Sequence, residues 1–254
     1  MSGHSKWATI KHKKGAADKA RGKLFAKLAR QIEVAARGGG GDTDTNPTLR
    51  TAVQKAKAGQ MTNDAIDRAI KRGTGDAGGG TYVAITYEGY APGGVALLID
   101  VLTDNRNRTG AEVRMIFSKM GGSMAEPGAV GWQFHRRGVV MVDPNPAGRT
   151  VDEDALMLTA LEAGADDVSD DDGAWCVMCD PSATFEIKDV LEAAGYVVLS
   201  ADTPMVSENL VPVTTVEDAK KILRIMEAIE DNDDVQDVYS NFDIADDVME
   251  AAAG

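Results

Sequence analysis

Basic residues crowd the first 30 positions of the 254-residue chain, where nine Lys and Arg stand against one acidic residue, Asp18. Four of them recur every three to four residues, which places them on one stripe of a helix. Such a stripe can neutralise phosphates and release counterions, although a solvated helix face is the alternative. Trp7 and His12 lie among these cations and can stack on or reach a base. We predict nucleic-acid binding through Lys6, Trp7, Lys11, His12, Lys13, Lys14, Lys19, Arg21, Lys23, Lys27, Arg30, Arg50, Lys55, Arg68, Lys71 and Arg72.

The charge of the whole chain points the other way, because its formal net charge is −13. The segments differ sharply: residues 1–80 carry a net charge of +9, residues 81–140 a net charge of +1, and residues 141–254 a net charge of −23. A chain that is basic at one end and acidic at the other favours a polyanion bound at the basic end. The segmental charge therefore predicts that the first 80 residues meet nucleic acid.

A second anion site is indicated at residues 104–109, where Arg106 and Arg108 precede a predicted helix. The first backbone N–H groups of a helix have no partner within the helix and attract anions. The alternative is an ordinary polar loop between a strand and a helix.

Signals of catalysis and of metal binding are weak. Cys176 and Cys179 form a CxxC pair, but Pro181 puts the next helix after both cysteines, so the pair reads as part of a buried strand. A thiol redox enzyme that uses Cys176 and Cys179 is the alternative. Residues 42–46 resemble the start of a calcium loop, but Pro47 replaces its required glycine. We expect no enzyme activity, no catalytic residue, no metal site and no cofactor.

Helices are expected to position the basic residues. Apolar residues at Leu24, Phe25, Leu28, Ile32 and Ala36 predict a helix over about 17–37. Asn46-Pro47 starts a second helix, and Thr62 caps a third that ends at Gly73, with Met61 and Ile66 packed across its first turn.

After Gly80 the pattern changes to strands, with strands predicted at 82–88, 95–102, 129–134 and 235–244 among others, and a helix opened by Thr109. Residues 137–204 read as β-α-β-β-α-β, the split βαβ sandwich. The flanking segments together supply a second such set. We therefore predict an α+β multidomain protein: an N-terminal helical bundle (1–80) and two ferredoxin-like (split βαβ) domains, one (81–136 and 205–250) interrupted by the other, acidic one (137–204).

Several motifs together resemble the YebC/PmpR family over essentially the whole chain. The residues that carry the resemblance lie at 2–7, 10–14, 46–50, 68–73, 87–94, 103–109 and 117–122. The sequence departs from it at Met61-Thr62, where family members often have Met-Pro, and in a short alanine-rich end. The resemblance implies a helical domain and two ferredoxin-like domains, one inserted in the other, and no catalytic residues.

The resemblance also implies a function. Bacterial family members look like DNA-binding transcriptional regulators, whereas other relatives, including mitochondrial ones, look like translation factors on the ribosome. We expect a non-enzymatic, cytoplasmic regulator of gene expression with DNA as partner and no membrane association. The alternative is a translation factor that binds rRNA and ribosomal proteins, and the oligomeric state stays open.

Overall fold

The computed structural model describes residues 18–75, 80–171 and 173–253. Three helices come first: α1 (Asp18–Gly39), α2 (Pro47–Ala58) and α3 (Asn63–Thr74). Their shared core is aliphatic and includes Leu28, Ile32, Leu49, Val53 and Ile66, all buried. The predicted apolar stripe of α1 is confirmed except at Leu24, which is 45% exposed because it lies off the face that meets α2 and α3.

The helix ends follow the predicted chemistry in part. Asn46 caps α2, its Oδ1 accepting from the backbone N of Leu49 at 3.1 Å, with Pro47 in the first turn. Met61 and Ile66 are both buried in the helical core, as predicted. The prediction that Gly73 ends α3 is wrong, because the left-handed residue is Gly75, with φ of 92°.

A four-stranded sheet follows the helices in the chain. Its strands are β1 (Val83–Tyr90), β2 (Ala96–Thr103), β3 (Ser123–Ala125) and β11 (Val235–Ser240), in the spatial order β11-β2-β1-β3. β1 runs antiparallel to both β2 and β3. The helices α4 (Arg106–Met120) and α7 (Val216–Glu230) contribute Phe117 and Ile225 to the packing beside this sheet, against Gly89 and Gly122.

A second four-stranded sheet is formed by β5 (Gly138–Val142), β6 (Asp167–Asp170), β7 (Trp175–Cys179) and β8 (Val198–Asp202), in the order β6-β7-β5-β8. All its pairs are antiparallel. The helices α5 (Glu153–Glu162) and α6 (Thr184–Ala193) bury Leu156 and Ile187 against it.

The two sheets confirm the predicted fold class. The second sheet has the chain order and the strand order of a split βαβ sandwich. The first sheet has the same spatial order. In it, β2 takes the place of the first strand of that sandwich, β3 of the second, β1 of the third and β11 of the fourth. Its last helix and strand come from beyond the second sheet in the chain, as the sequence predicted.

Short elements connect these parts. β4 (Phe134–Arg136) pairs with β9 (Met205–Ser207), β10 (Val211–Val213) runs parallel to β12 (Phe242–Ile244), and α8 (Asp246–Ala253) follows. The predicted strand at 129–134 is wrong, because Gly131–Gln133 forms a 3-10 turn. The predicted strand at 235–244 is interrupted at Asn241, whose buried Nδ2 donates to Gln133 Oε1 and to the Asn209 carbonyl.

The described residues form two compact units. One comprises 131–219 and 239–253 and contains the second sheet; the other comprises 18–130 and 220–238 and contains the helical core and most of the first sheet. The domain boundaries given above stay a prediction. Among the described residues, no helix combines the length and the apolar character that crossing a membrane requires.

Candidate nucleic-acid interface

The predicted interface residues fall into groups with different surroundings. Lys6, Trp7, Lys11, His12, Lys13 and Lys14 lie outside the described residues, and so does the side chain of Lys19. Their role stays a prediction from the sequence.

The stripe on α1 faces an acidic turn of the same unit. Lys23 Nζ lies 2.7 Å from Asp231 Oδ1, and Lys27 Nζ donates to the Glu230 carbonyl at 2.7 Å. Arg30 Nη1 donates to the carbonyls of Leu102 and Asp233, and the Arg30 guanidinium lies 4.8 Å from the ring centre of Tyr82. These three cations thus attach α1 to the turn between α7 and β11, and their predicted contact with phosphate stays a prediction.

Asp234 is the centre of this attachment. Its carboxylate accepts from Thr109 Oγ1 and Arg108 Nη2, both at 2.6 Å, and from Thr103 Oγ1 and Arg30 Nη1, both at 3.0 Å. Burial alone would raise the pKa of the Asp234 carboxyl, but the hydrogen bonds from Thr109, Arg108 and Thr103 favour the carboxylate more strongly, so its pKa is lowered. One buried carboxylate thus connects α1, β2, α4 and the start of β11.

The Asp234 carboxylate also contacts one of the two arginines of the predicted second anion site at residues 104–109. Arg108 is engaged by Asp234 and, at 3.0 Å, by Asp104, so an anion of the chain itself already lies beside the start of α4. Arg106 is exposed, and its carbonyl accepts from the Tyr87 hydroxyl. The helix begins at Arg106 with Asn105 as its cap, so the prediction that Thr109 opens it is wrong.

Three further predicted cations have contacts within the chain. Arg50 donates to the carbonyls of Thr43 and Asp44. Lys55 lies 3.6 Å from Asp237, and Arg72 lies 3.1 Å from Glu33. The Glu33 carboxylate is buried, so its pairing with Arg72 compensates a charge that would otherwise be costly between α1 and α3.

Arg21, Arg68 and Lys71 remain available. All three are exposed, and none has a side-chain hydrogen bond or ion pair with another described residue. Arg68 and Lys71 are three residues apart on α3, so their side chains lie on neighbouring positions of one helix surface. These three residues are therefore accessible to a phosphate backbone.

The two cysteines do not form a redox pair. They lie on opposite faces of β7, with Cys179 in the core beneath α5 and α6 and Cys176 in the cluster on the other face. Both are buried free thiols. Burial, with smaller contributions from Asp171 and Asp167, raises the pKa of the Cys176 thiol to about 12. A raised pKa keeps the thiol protonated, and the opposite faces separate the two sulfur atoms, so the arrangement does not support a CxxC redox site.

Two features of this unit were not predicted from the sequence. Asp234 gave no local signal, because its partners Arg108 and Arg30 are 126 and 204 positions away in the chain. A group formed by Lys119, Lys221 and Arg224 lines a groove on the same unit. A signal for it existed, because basic residues are rare beyond residue 140 and three of them lie within residues 220–224.

Fold and surface together define a class: an α+β protein in which basic helices are held by ion pairs to a ferredoxin-like sheet, with a second such sheet in an acidic part of the chain. Comparison with known proteins agrees. Residues 5–76 match the family model of the TACO1/YebC protein N-terminal domain, and residues 82–242 match that of the TACO1/YebC second and third domain.

The chain is also similar to other protein sequences and to a solved structure. It is 56% identical to a protein of Halothermothrix orenii, with 98% of each chain covered, and 50% identical to one of Geobacter sp. strain M21, with 98% of this chain and 99% of the relative covered. Both relatives are named "Probable transcriptional regulatory protein". A crystal structure of a conserved hypothetical protein from Aquifex aeolicus superposes with a TM-score of 0.77 at 40% identity, covering 90% of this chain and 93% of that one.

The chain belongs to the TACO1/YebC family. The resemblance to the YebC/PmpR family is thereby confirmed along essentially the whole sequence.

Proposed function

We propose that this protein is a non-enzymatic regulator of gene expression that binds DNA through its basic N-terminal segment. The observation that carries the proposal is the excess of nine Lys and Arg over one acidic residue in the first 30 positions, in a chain whose net charge is −13. Electrostatic attraction to phosphate supplies most of the affinity of such segments. The names of the relatives, which describe transcriptional regulators, support the same function.

The contacts on α1 separate the cations into two groups. Lys23, Lys27 and Arg30 hold α1 against the acidic turn at 230–234, so they act on binding through the position of the helix. Direct phosphate contact is assigned to Arg21, Arg68 and Lys71 on the described helices, and to the cations of residues 6–14. The first group is structural, and the second binds.

An electrophoretic shift assay of the full-length protein on duplex promoter DNA tests this assignment. K13Q/K14Q and R68Q/K71Q should each weaken binding, because each variant removes two proposed phosphate contacts. The matched control R149Q/K188Q removes two cations from the acidic part of the chain and should leave the affinity unchanged. Equal binding by all four proteins would contradict the proposed surface.

The ribosomal alternative shares the same chemistry, because duplex DNA and rRNA both present phosphates. Sedimentation through sucrose gradients separates the two functions. Under the proposal the protein stays at the top of the gradient at moderate salt, whereas co-migration with ribosomal subunits would favour the translation factor.

A further inference from the structure

Positive charge is distributed unevenly in the acidic part of the chain. Residues 141–254 contain 28 acidic residues and five basic ones, and three of these five are Lys220, Lys221 and Arg224 on α7. Clustered cations repel one another, so a cluster that stands out against such an acidic background indicates attraction to a polyanion.

The fold adds a fourth cation to this cluster from a distant part of the sequence. Lys119, in the last turn of α4, lines the same groove as Lys221 and Arg224. The groove has a volume of about 460 Å³, and its other lining residues are Pro92, Met120 and Gly121. No acidic side chain is among the described residues that line it. Three positive charges therefore share a surface whose remaining walls are apolar or backbone.

Two cations of this groove, Lys119 and Arg224, also differ from those on α1. Lys119, Lys221 and Arg224 are all exposed, and neither Lys119 nor Arg224 has a side-chain ion pair or hydrogen bond with another residue that the structure describes. By contrast, Lys23, Lys27 and Arg30 are engaged by the turn at 230–234. Binding of a phosphate backbone in the groove would therefore require no internal ion pair of Lys119 or Arg224 to open.

A feature of the local backbone supports access to the groove. α4 ends at Gly121, whose φ of 80° turns the chain sharply away from the helix axis. The turn at Pro92–Gly94 contributes only Pro92 to the lining. Gly121 itself adds no side chain to the groove, whose apolar lining is Pro92 and Met120.

We propose that the groove formed by Lys119, Lys221 and Arg224 binds a sugar-phosphate backbone of the same nucleic acid that the N-terminal segment binds. This inference rests on the proposed function, because it adds a second contact to the same ligand. The inference assigns a nucleic-acid contact to α7. This helix lies within residues 141–254, whose net charge of −23 would otherwise argue against nucleic-acid binding.

The test is the salt dependence of binding by the full-length protein, measured by fluorescence anisotropy on a labelled DNA duplex and on an RNA hairpin. Each lost phosphate contact lowers the slope of log K against log salt concentration by about 1. K221Q/R224Q should therefore lower the magnitude of the slope by about 2, and adding K119Q by about 1 more. The side chains are exposed, and unchanged circular dichroism confirms that the variants fold.

R149Q/K188Q is the matched control, because it removes two cations of residues 141–254 that lie outside the groove. Its slope should equal that of the unaltered protein. If K221Q/R224Q also keeps that slope on both probes, the groove is not a contact site, while the proposed function stands. If the unaltered protein binds neither probe, the proposed function and this inference both fail.

Discussion

Asp234 shows how one side chain can organise distant parts of the chain. Its carboxylate joins Arg30 of α1, Arg108 and Thr109 of α4, and Thr103 of β2. A buried carboxylate is tolerated only when it is paired and fully hydrogen-bonded, and four donors meet that requirement here. Lys23 and Lys27 contact the same turn, Lys23 at Asp231 and Lys27 at the Glu230 carbonyl.

Replacing Asp234 by Asn should destabilise the fold. The variant keeps the size of the side chain but removes the carboxylate charge that pairs with Arg30 and Arg108, which we expect to cost about 2–4 kcal/mol. Urea unfolding measures the change. D233N is the matched control, since Asp233 is exposed and only its carbonyl contacts Arg30, and it should change the stability by less than about 0.5 kcal/mol.

The Asp234 effect should depend on pH with a definite sign. Because the pKa of this carboxyl is lowered in the folded protein, the stability that it provides is present above the unfolded pKa of about 4 and is lost as the pH falls below it. The stability difference between the unaltered protein and D234N should therefore be constant near pH 7 and shrink below about pH 4. A difference that grows on acidification would contradict the lowered pKa.

The cysteines provide a second test at this scale. With a pKa of about 12, Cys176 has a negligible thiolate fraction at pH 8, on the order of one in 10⁴. The native protein should therefore react with a thiol reagent at pH 8 far more slowly than the same protein in denaturant, which should expose two thiols. Rapid reaction of the native protein would contradict the raised pKa and would support a thiol redox function.

At the scale of elements, features that depend on neighbouring residues could be predicted from the sequence. Features that depend on distant residues could not. The cap at Asn46-Pro47 and the packing of Met61 on Ile66 follow from contacts within one turn, and both were predictable. The interruption at Asn241 was not, because it depends on hydrogen bonds to Gln133 and Asn209, which are distant in the sequence. Three-residue strands such as β3 are too short to show an alternating pattern.

Helix packing explains the error at Gly73. This residue lies inside α3 rather than after it, because α3 crosses α1 there, and a Cβ atom would lie 2.7 Å from that of Ala36 and still closer to the Glu33 carbonyl. The glycine thus permits close approach of two helices instead of ending one of them. Sequence alone does not distinguish the two roles.

Gly73→Ala should accordingly destabilise the helical core by about 1–3 kcal/mol, because the added methyl group forces α3 away from α1. Gly22→Ala in α1 is the control with the opposite expectation. Nothing lies within 4 Å of its added Cβ, so helix propensity should make the protein more stable by up to about 1 kcal/mol. Thermal unfolding of both variants measures the two shifts, and a neutral G73A would contradict the close approach.

At the scale of the whole molecule, charge separates the parts of the chain. The net charge is +9 over residues 1–80 and −23 over residues 141–254, so the whole-chain charge of −13 hides a strongly basic segment. The fold class followed from the order of elements, whereas the assignment of individual cations to binding or to structure required the contacts. Of the predicted stripe on α1, Lys23, Lys27 and Arg30 proved to be engaged within the chain.

The central claim is that the physiological ligand is DNA. Crosslinking the full-length protein to nucleic acid in living cells, followed by sequencing of the recovered material, tests it most directly, with K13Q/K14Q as the control for contacts of the N-terminal segment. We expect recovery of DNA enriched in promoter regions, and a strongly reduced yield with the variant. Recovery dominated by rRNA, with no enrichment of promoter DNA, would contradict it.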